Sequence, residues 1–161
     1  MTSNSEPHVF SIQIAADAGA KMVSLGEVHA VPGRGLEGDR YFKGTGTYSQ
    51  TPGTGREVTL IEAEAIAALE RDYHLKIEFK DARRNIVTRH AALNHFAGLE
   101  FQVGDVLMRG MRLCEPCSHL DQLAGEKISR GLVRRGGLRA EILSEGTIRV
   151  GDLVRRADPR R

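Results

Sequence analysis

Apolar stretches in this chain are short, rich in β-branched residues, and cut off every few positions by Gly or Asp. They fall at residues 9–15, 22–31, 57–61, 85–88, 99–103, 106–108, 138–143, 147–150 and 153–155. Runs this short suit strands better than helices, and many strands with frequent turn signals predict a barrel or sandwich. Two pentapeptides, Val103-Gly104-Asp105-Val106-Leu107 and Val150-Gly151-Asp152-Leu153-Val154, each set Gly-Asp between two such stretches. Both read as hairpins. Two copies of five residues do not make a repeat architecture.

One segment breaks this pattern. Residues 62–73, EAEAIAALERDY, are Ala, Leu and Glu-rich and predict a helix. Ile66, Leu69 and Tyr73 share a stripe, and Glu62 and Glu64 suit the positive N-terminal end. Shorter helical turns are expected at 93–96 and 118–123. Residues 43–55, KGTGTYSQTPGTG, read as a mobile surface loop, and the tail from Asp158 as frayed.

The 161 residues suit a single domain, with its core at about residues 19–158 and enough length to bury that core without disulfides. With 5% aromatics and no Trp, the core must be mostly aliphatic. Two cysteines are too few for a disulfide scaffold. No run approaches the roughly 20 apolar residues that span a bilayer. The first residues lack a basic region followed by an apolar one, so no secretory signal is read and a cytoplasmic location is expected. Residues 80–161 hold 16 Lys and Arg against 10 Asp and Glu, whereas residues 1–79 hold 7 against 11. The basic second half hints at an anionic ligand but lacks the dense runs of a nucleic-acid arm, so nucleic acid is not the expected partner. Most of these arginines are expected at the solvated surface.

Three clusters could carry chemistry. Cys114-Glu115-Pro116-Cys117 is a C-x-x-C. Zinc would need about four ligands, and no second C-x-x-C exists, although His90, His95 and His119 could contribute. A thioredoxin-like pair would need a helix N-terminus in a βαβ unit, whereas the flanks here are β-like and no parallel-sheet pattern is read. The remaining readings make both cysteines inert, or make one functional and the other a small buried hydrophobe. Pro116 stiffens the approach to Cys117, and polar Ser118 and His119 follow it, which favours Cys117 as a loop thiol.

The second cluster is the glycine-rich stretch Gly33-Arg34-Gly35-Leu36-Glu37-Gly38-Asp39-Arg40. It lacks the ending of a P-loop and does not open a helix as a dinucleotide fingerprint would. Its glycines allow close backbone approach to a ligand; an ordinary turn with a surface Asp39/Arg40 pair is the alternative. The third is Arg83-Arg84-Asn85 at a strand start, with Arg56 ahead of an earlier strand and Arg134-Arg135-Gly136-Gly137 as a second basic turn. Alternation along a strand sends Arg83 and Asn85 to one face and Arg84 to the other. Guanidinium forks grip phosphate bidentately, so a phosphate pocket beside a soft metal ligand is the combined reading.

In order and spacing these motifs resemble a stand-alone, bacterial-type MOSC domain, the module named for the C-terminal part of molybdenum cofactor sulfurase. The likeness runs through Gly33 to Tyr41, Arg56-Glu-Val-Thr-Leu-Ile-Glu62, Arg83-Arg-Asn-Ile-Val87, Cys114-Glu-Pro-Cys117, Gly136-Gly-Leu-Arg-Ala140 and Gly146-Thr-Ile-Arg-Val-Gly-Asp152. The resemblance implies a strongly bent, closed β-barrel with a few peripheral helices. It also implies a role with the molybdenum cofactor, a pterin dithiolene with a phosphate tail. Cys117 corresponds to the cysteine that ligates molybdenum or carries sulfur, and Arg83 and Asn85 to part of the cofactor cradle. Arg40, Arg56, Ser118 and His119 complete the expected cofactor-binding set. Amidoxime-reducing members carry an additional N-terminal part, and cofactor sulfurases a fused pyridoxal-phosphate domain; 161 residues hold neither.

Three functions stay open on this reading. The first is a molybdenum-dependent oxidoreductase that reduces N-hydroxylated small molecules with electrons from a separate protein. The second is a non-catalytic carrier of persulfide sulfur or of the cofactor, served by a sulfur-donor protein. The third is a phosphate- or RNA-binding barrel with a structural C-x-x-C. A soft thiolate suits molybdenum, and nearby Arg charge favours the thiolate form.

Overall fold

The computed structural model describes residues 5–46, 56–115 and 128–157. Among these residues the chain forms β1 (His8–Ile14), β2 (Val23–Leu25), β3 (Glu27–Val31), β4 (Gly35–Leu36), β5 (Val58–Glu62), β6 (Ile86–Arg89), β7 (Glu100–Val103), β8 (Val106–Leu113), β9 (Leu138–Ile142), β10 (Gly146–Arg149) and β11 (Val154–Arg156), with helices α1 (Arg40–Lys43) and α2 (Ala63–Tyr73). The expected mainly-β character is observed. Every strand read from the pattern is present, but two change shape. Residues 22–31 split into β2 and β3 at Gly26, and β8 runs on from Met108 to Leu113, with its pairing to β9 shifted between Gly110 and Arg112.

Eight strands form one sheet in the order β11-β7-β8-β9-β5-β6-β1-β2, and β10-β3-β4 form a second. The large sheet curls until β1 touches the turn that precedes β11. His8 bridges Leu153, Val9 N–H donates to Asp152 O, and Gly151 N–H donates to Val9 O, both at 2.8 Å. The closed barrel expected from the sequence overstates this arrangement, which is a curled half-barrel. Closure is incomplete because the sides are joined by a single bridge, at Leu153 just ahead of the three-residue β11, instead of by a ladder.

Two further expectations are corrected. The Gly104-Asp105 turn is a hairpin, with Val103 opposite Val106. Gly151-Asp152 is not, because β10 pairs with β3 and β11 with β7; this turn carries the chain from one sheet to the other. The two turns pack together, Gly104 N–H donating to Leu153 O at 2.8 Å. A parallel pair, absent from the sequence reading, also exists: β5 and β6 run parallel, and α2 lies in the connection between them. Both strands are buried on two faces, so they read as continuous apolar runs without alternation.

These two faces define two cores. Leu60 and Ile86 point into the half-barrel with Ile12, Phe101, Met108 and Leu138. Ile61 and Val87 point outward against Ile66 and Leu69 of α2 and against Ile128 and Leu132. The helix ends at His74, whose left-handed backbone (φ 58°) allows Leu75 N–H to donate back to Leu69 O at 3.1 Å. Tyr73, expected on the buried stripe, is 45% exposed; Ala65 and Ala68 take part in the buried face instead. The helical turn expected at 93–96 is a 3-10 helix over Leu93–Phe96. The turn expected at 118–123 lies outside the described residues. So do residues 47–55 of the expected mobile loop, while residues 43–46 are tied down, Thr45 N–H donating to Arg40 O at 2.9 Å. No helix among the described residues is long and apolar enough to cross a membrane.

Candidate functional site

The glycine-rich stretch after β3 brings a charged pair into the protein. Asp39 is fully buried and Arg40 is 6% exposed, so the alternative reading of a surface pair is corrected to an interior one. Asp39 Oδ1 accepts from Arg40 Nη1 at 3.1 Å and from Ala15 N–H at 3.0 Å. Its Oδ2 accepts from Tyr41 N–H at 3.4 Å and so caps α1. Arg40 reaches further, Nη1 lying 3.6 Å from Met22 Sδ and Nη2 donating to Arg83 O at 3.5 Å. Upstream, Gly35 (φ 119°) passes so close to β5 that a Cβ would sit 2.8 Å from Glu57 O. This close approach is the reason a glycine stands there.

Glu57 joins this stretch to the sheet, its Oε1 accepting from Gly33 N–H at 3.0 Å and Ile142 N–H at 3.1 Å. Burial pushes its carboxyl above the usual range, with Glu141 adding repulsion, although the two backbone donors pull the other way. A carboxyl whose folded pKa is raised loses stability as pH climbs through that interval. Gln keeps the acceptor and removes the charge, so Glu57→Gln is expected to melt slightly above the parent protein at pH 7 and level with it at about pH 3, below the ordinary glutamate pKa of about 4.3. A lower melting temperature for the variant at both pH values would refute this. Burial also raises Glu62, which accepts from Leu93 N–H at 3.3 Å.

Arg83, Arg84 and Asn85 do not alternate along a strand, because β6 begins only at Ile86. Arg83 instead ends a 3-10 helix (Phe79–Ala82) in left-handed conformation (φ 61°). That backbone sends the three side chains in three directions. Arg83, 8% exposed, lines a cavity of about 250 Å³ with Gly19, Lys21, Met22, Lys80 and Asp81. Its Nη1 donates to Ala20 O, while its buried Nε has no hydrogen-bond partner among the described residues. Burial, followed by the charge of Arg40, pushes the Arg83 guanidinium below the ordinary arginine range. A poorly solvated cation in a cavity with two lysines favours an anion there.

Asn85 does not line the cavity that Arg83 lines. Fully buried, it accepts at Oδ1 from Thr59 N–H (3.1 Å) and the Thr59 hydroxyl (3.2 Å), and its Nδ2 donates to Gln13 O (3.1 Å). Arg84 turns to the opposite side, towards the cysteine motif: Nε donates to Gly136 O at 2.7 Å and Nη2 to Cys114 O at 3.1 Å. Cys114 is a buried free thiol at the end of β8. Cys117, Ser118 and His119 lie outside the described residues. Arg56 is half-buried just ahead of Glu57. Among the described residues, no group of three His, Cys, Asp or Glu side chains could hold a metal.

Thus the structure brings Arg40 and Arg83 together, seals Asn85 behind them, and directs Arg84 to Cys114. Lys21, Lys80 and Gln13 were not singled out by sequence reasoning. Gln13 carried a faint signal, as a polar residue inside an apolar strand, whereas the lysines carried none.

The MOSC domain family model matches residues 39–155. The chain belongs to the MOSC domain family. MOSC domains are associated with the molybdenum cofactor in general. No curated protein matches the chain. Solved structures share its fold. YuaD from Bacillus subtilis superposes with a TM-score of 0.73 at 14% identity, over 92% of this chain and 94% of that one. YiiM from Geobacillus stearothermophilus gives 0.71 at 14% identity, over 94% and 75%. YiiM from Escherichia coli gives 0.63 at 16% identity, over 93% and 71%. The MOSC match begins at Asp39, so it takes in Arg40, Arg83 and the cysteine motif, while β1 and Gln13 precede it.

Proposed function

We propose that this MOSC protein binds a molybdenum cofactor and reduces N-hydroxylated small molecules. The observation that carries the reading is that Arg83 lines a cavity together with Lys21 and Lys80, three cations against the single carboxylate of Asp81. Such a donor set fits the phosphate of the pterin tail, since charge-assisted bonds to phosphate are the strong ones. Arg83 would hold that phosphate. Arg40 would support it from behind, through its bond to the Arg83 carbonyl and its own pair with Asp39. Asn85 positions without touching ligand, by locking the start of β6 to β1 and β5. Cys117 would supply the soft thiolate that molybdenum favours.

The bound metal would supply the two-electron chemistry, and the protein supplies orientation and charge. In balanced form, two electrons and two protons convert an N–OH group into N–H and water. The electrons come from a separate donor protein.

The test is elemental analysis and pterin fluorescence on protein from a host that makes the cofactor. Molybdenum close to one per chain is expected, falling to background in Cys117→Ser and staying near the parent level in Cys114→Ser. Arg83→Ala is expected to weaken cofactor binding by about 1.5–3 kcal/mol, the scale of a charge-assisted hydrogen bond. Persulfide on Cys117 without metal would point to a sulfur carrier. Binding of RNA that falls steeply with salt, again without metal, would point to a nucleic-acid barrel.

A further inference from the structure

Beside α2 lies a second cavity, which shares no lining residue with the one at Arg83. Its volume is about 450 Å³, within the range of small-molecule sites. Four residues of α2 line it: Ala63, Ile66, Ala67 and Glu70. At spacings of three, four and seven they form one stripe of the helix, about 10 Å long at 1.5 Å per residue. Ile77 and Phe79 add apolar lining, and Arg89 and His90 line the cavity from the end of β6.

Arg89 is presented to this cavity by an aromatic support. Its guanidinium lies over the Phe10 ring, 3.6 Å from the centroid, and Phe10 meets Phe79 edge to face with centroids 5.4 Å apart. Stacking takes up the face of a guanidinium and leaves its in-plane donors open. Among the described residues, no carboxylate or carbonyl accepts from them. Glu64 is occupied elsewhere: its Oε2 accepts from His90 N–H at 2.9 Å and lies 3.8 Å from His90 Nδ1. That bond ties the end of β6 to the first turn of α2, so Arg89 stands at that end of the stripe. Glu70 and Lys76 add one charge of each sign to the lining.

We propose that this cavity binds a small organic monocarboxylate with an apolar body. The carboxylate takes the Arg89 fork, whose planar donors match it bidentately. The hydrocarbon lies along Ala63, Ile66 and Ala67, against Ile77 and Phe79. Glu64 and Glu70 repel a second negative charge, which selects a monoanion over a phosphate ester. Neither Cys117 nor a metal enters this inference.

The probe is octanoate, titrated into the full-length protein and followed by amide chemical shifts. Saturable binding is expected below about 10 mM, with the shifts gathered on residues 63–70, 77–79 and 89–90. Octylamine has the same tail and the opposite charge, and it is expected to bind at least about tenfold more weakly, as is octyl phosphate. Arg89→Gln, at an exposed position, is expected to weaken octanoate about tenfold, the low end for a charge-assisted hydrogen bond. Ala67→Phe fills the stripe from an exposed helix position and is expected to abolish binding in a folded protein. Failure to saturate in that range would overturn the proposal, as would octylamine binding as tightly as octanoate. Parent-like affinity in either variant would do the same, and if one variant does not fold the other decides. Shifts on Lys21, Lys80 and Arg83 would put octanoate in the other cavity, and tighter binding of octyl phosphate would replace the carboxylate; each also overturns the assignment.

Discussion

Asp39→Ala is expected to cost about 3–5 kcal/mol, the scale seen when one partner of a buried ion pair is removed. The carboxylate of Asp39 lies fully buried, on Arg40 Nη1, Ala15 N–H and Tyr41 N–H. Removing it leaves the Arg40 cation buried within reach of Arg83, with no counter-charge from this residue. It also orphans the Ala15 amide and uncaps α1, each a further loss. Asp39→Asn retains an acceptor and should fall between the two. Combining Asp39→Ala with Arg40→Leu should recover part of the loss, because no unpaired charge then remains. Urea denaturation of the parent, Asp39→Ala, Arg40→Leu and the double variant measures the cycle. A single-variant cost below about 1 kcal/mol, the ceiling typical of surface pairs, would show that the pair does not behave as a buried one.

Asn85→Ala is the second large effect, at about 3–5 kcal/mol. Its side chain satisfies three buried groups: the Thr59 amide, the Thr59 hydroxyl and the Gln13 carbonyl. Each buried group left without a partner costs about 1–3 kcal/mol. Asn85→Asp is more informative still. One oxygen can replace the acceptor, but the other would face the Gln13 carbonyl where a donor is needed. A carboxyl in that position keeps its proton, so its folded pKa lies above the unfolded value of about 3.9. Stability of this variant is therefore expected to approach the parent's at low pH and to fall away as pH rises through the folded pKa. A deficit that shrinks with rising pH would mean that the neighbouring arginines, and not the carbonyl, govern the site.

Both residues show how far the sequence could be read. Arg40, Arg83 and Asn85 were recognisable as polar groups at element boundaries. Their division of labour was not. The alternation rule applies only inside a strand, and the left-handed turn at Arg83 lies three residues before β6 starts. Likewise, the two Gly-Asp pentapeptides are nearly identical locally. One closes a hairpin and the other changes sheets, because the strand that receives β11 is β7, about 50 residues earlier in the chain.

The sequence by itself determined what depends on neighbours a few residues apart. The strand periods, the Ala- and Leu-rich α2, the Gly104-Asp105 hairpin and the order of motifs that marks a MOSC domain all belong here. Tertiary structure alone decided which charges are sealed and what they hold. Asp39 meets Ala15 across 24 positions, Arg84 meets Gly136 across 52, and Asn85 meets Gln13 across 72. An arginine in solvent and an arginine spanning two buried carbonyls carry the same letter. Only the long-range packing that removes water from one of them makes its partner obligatory.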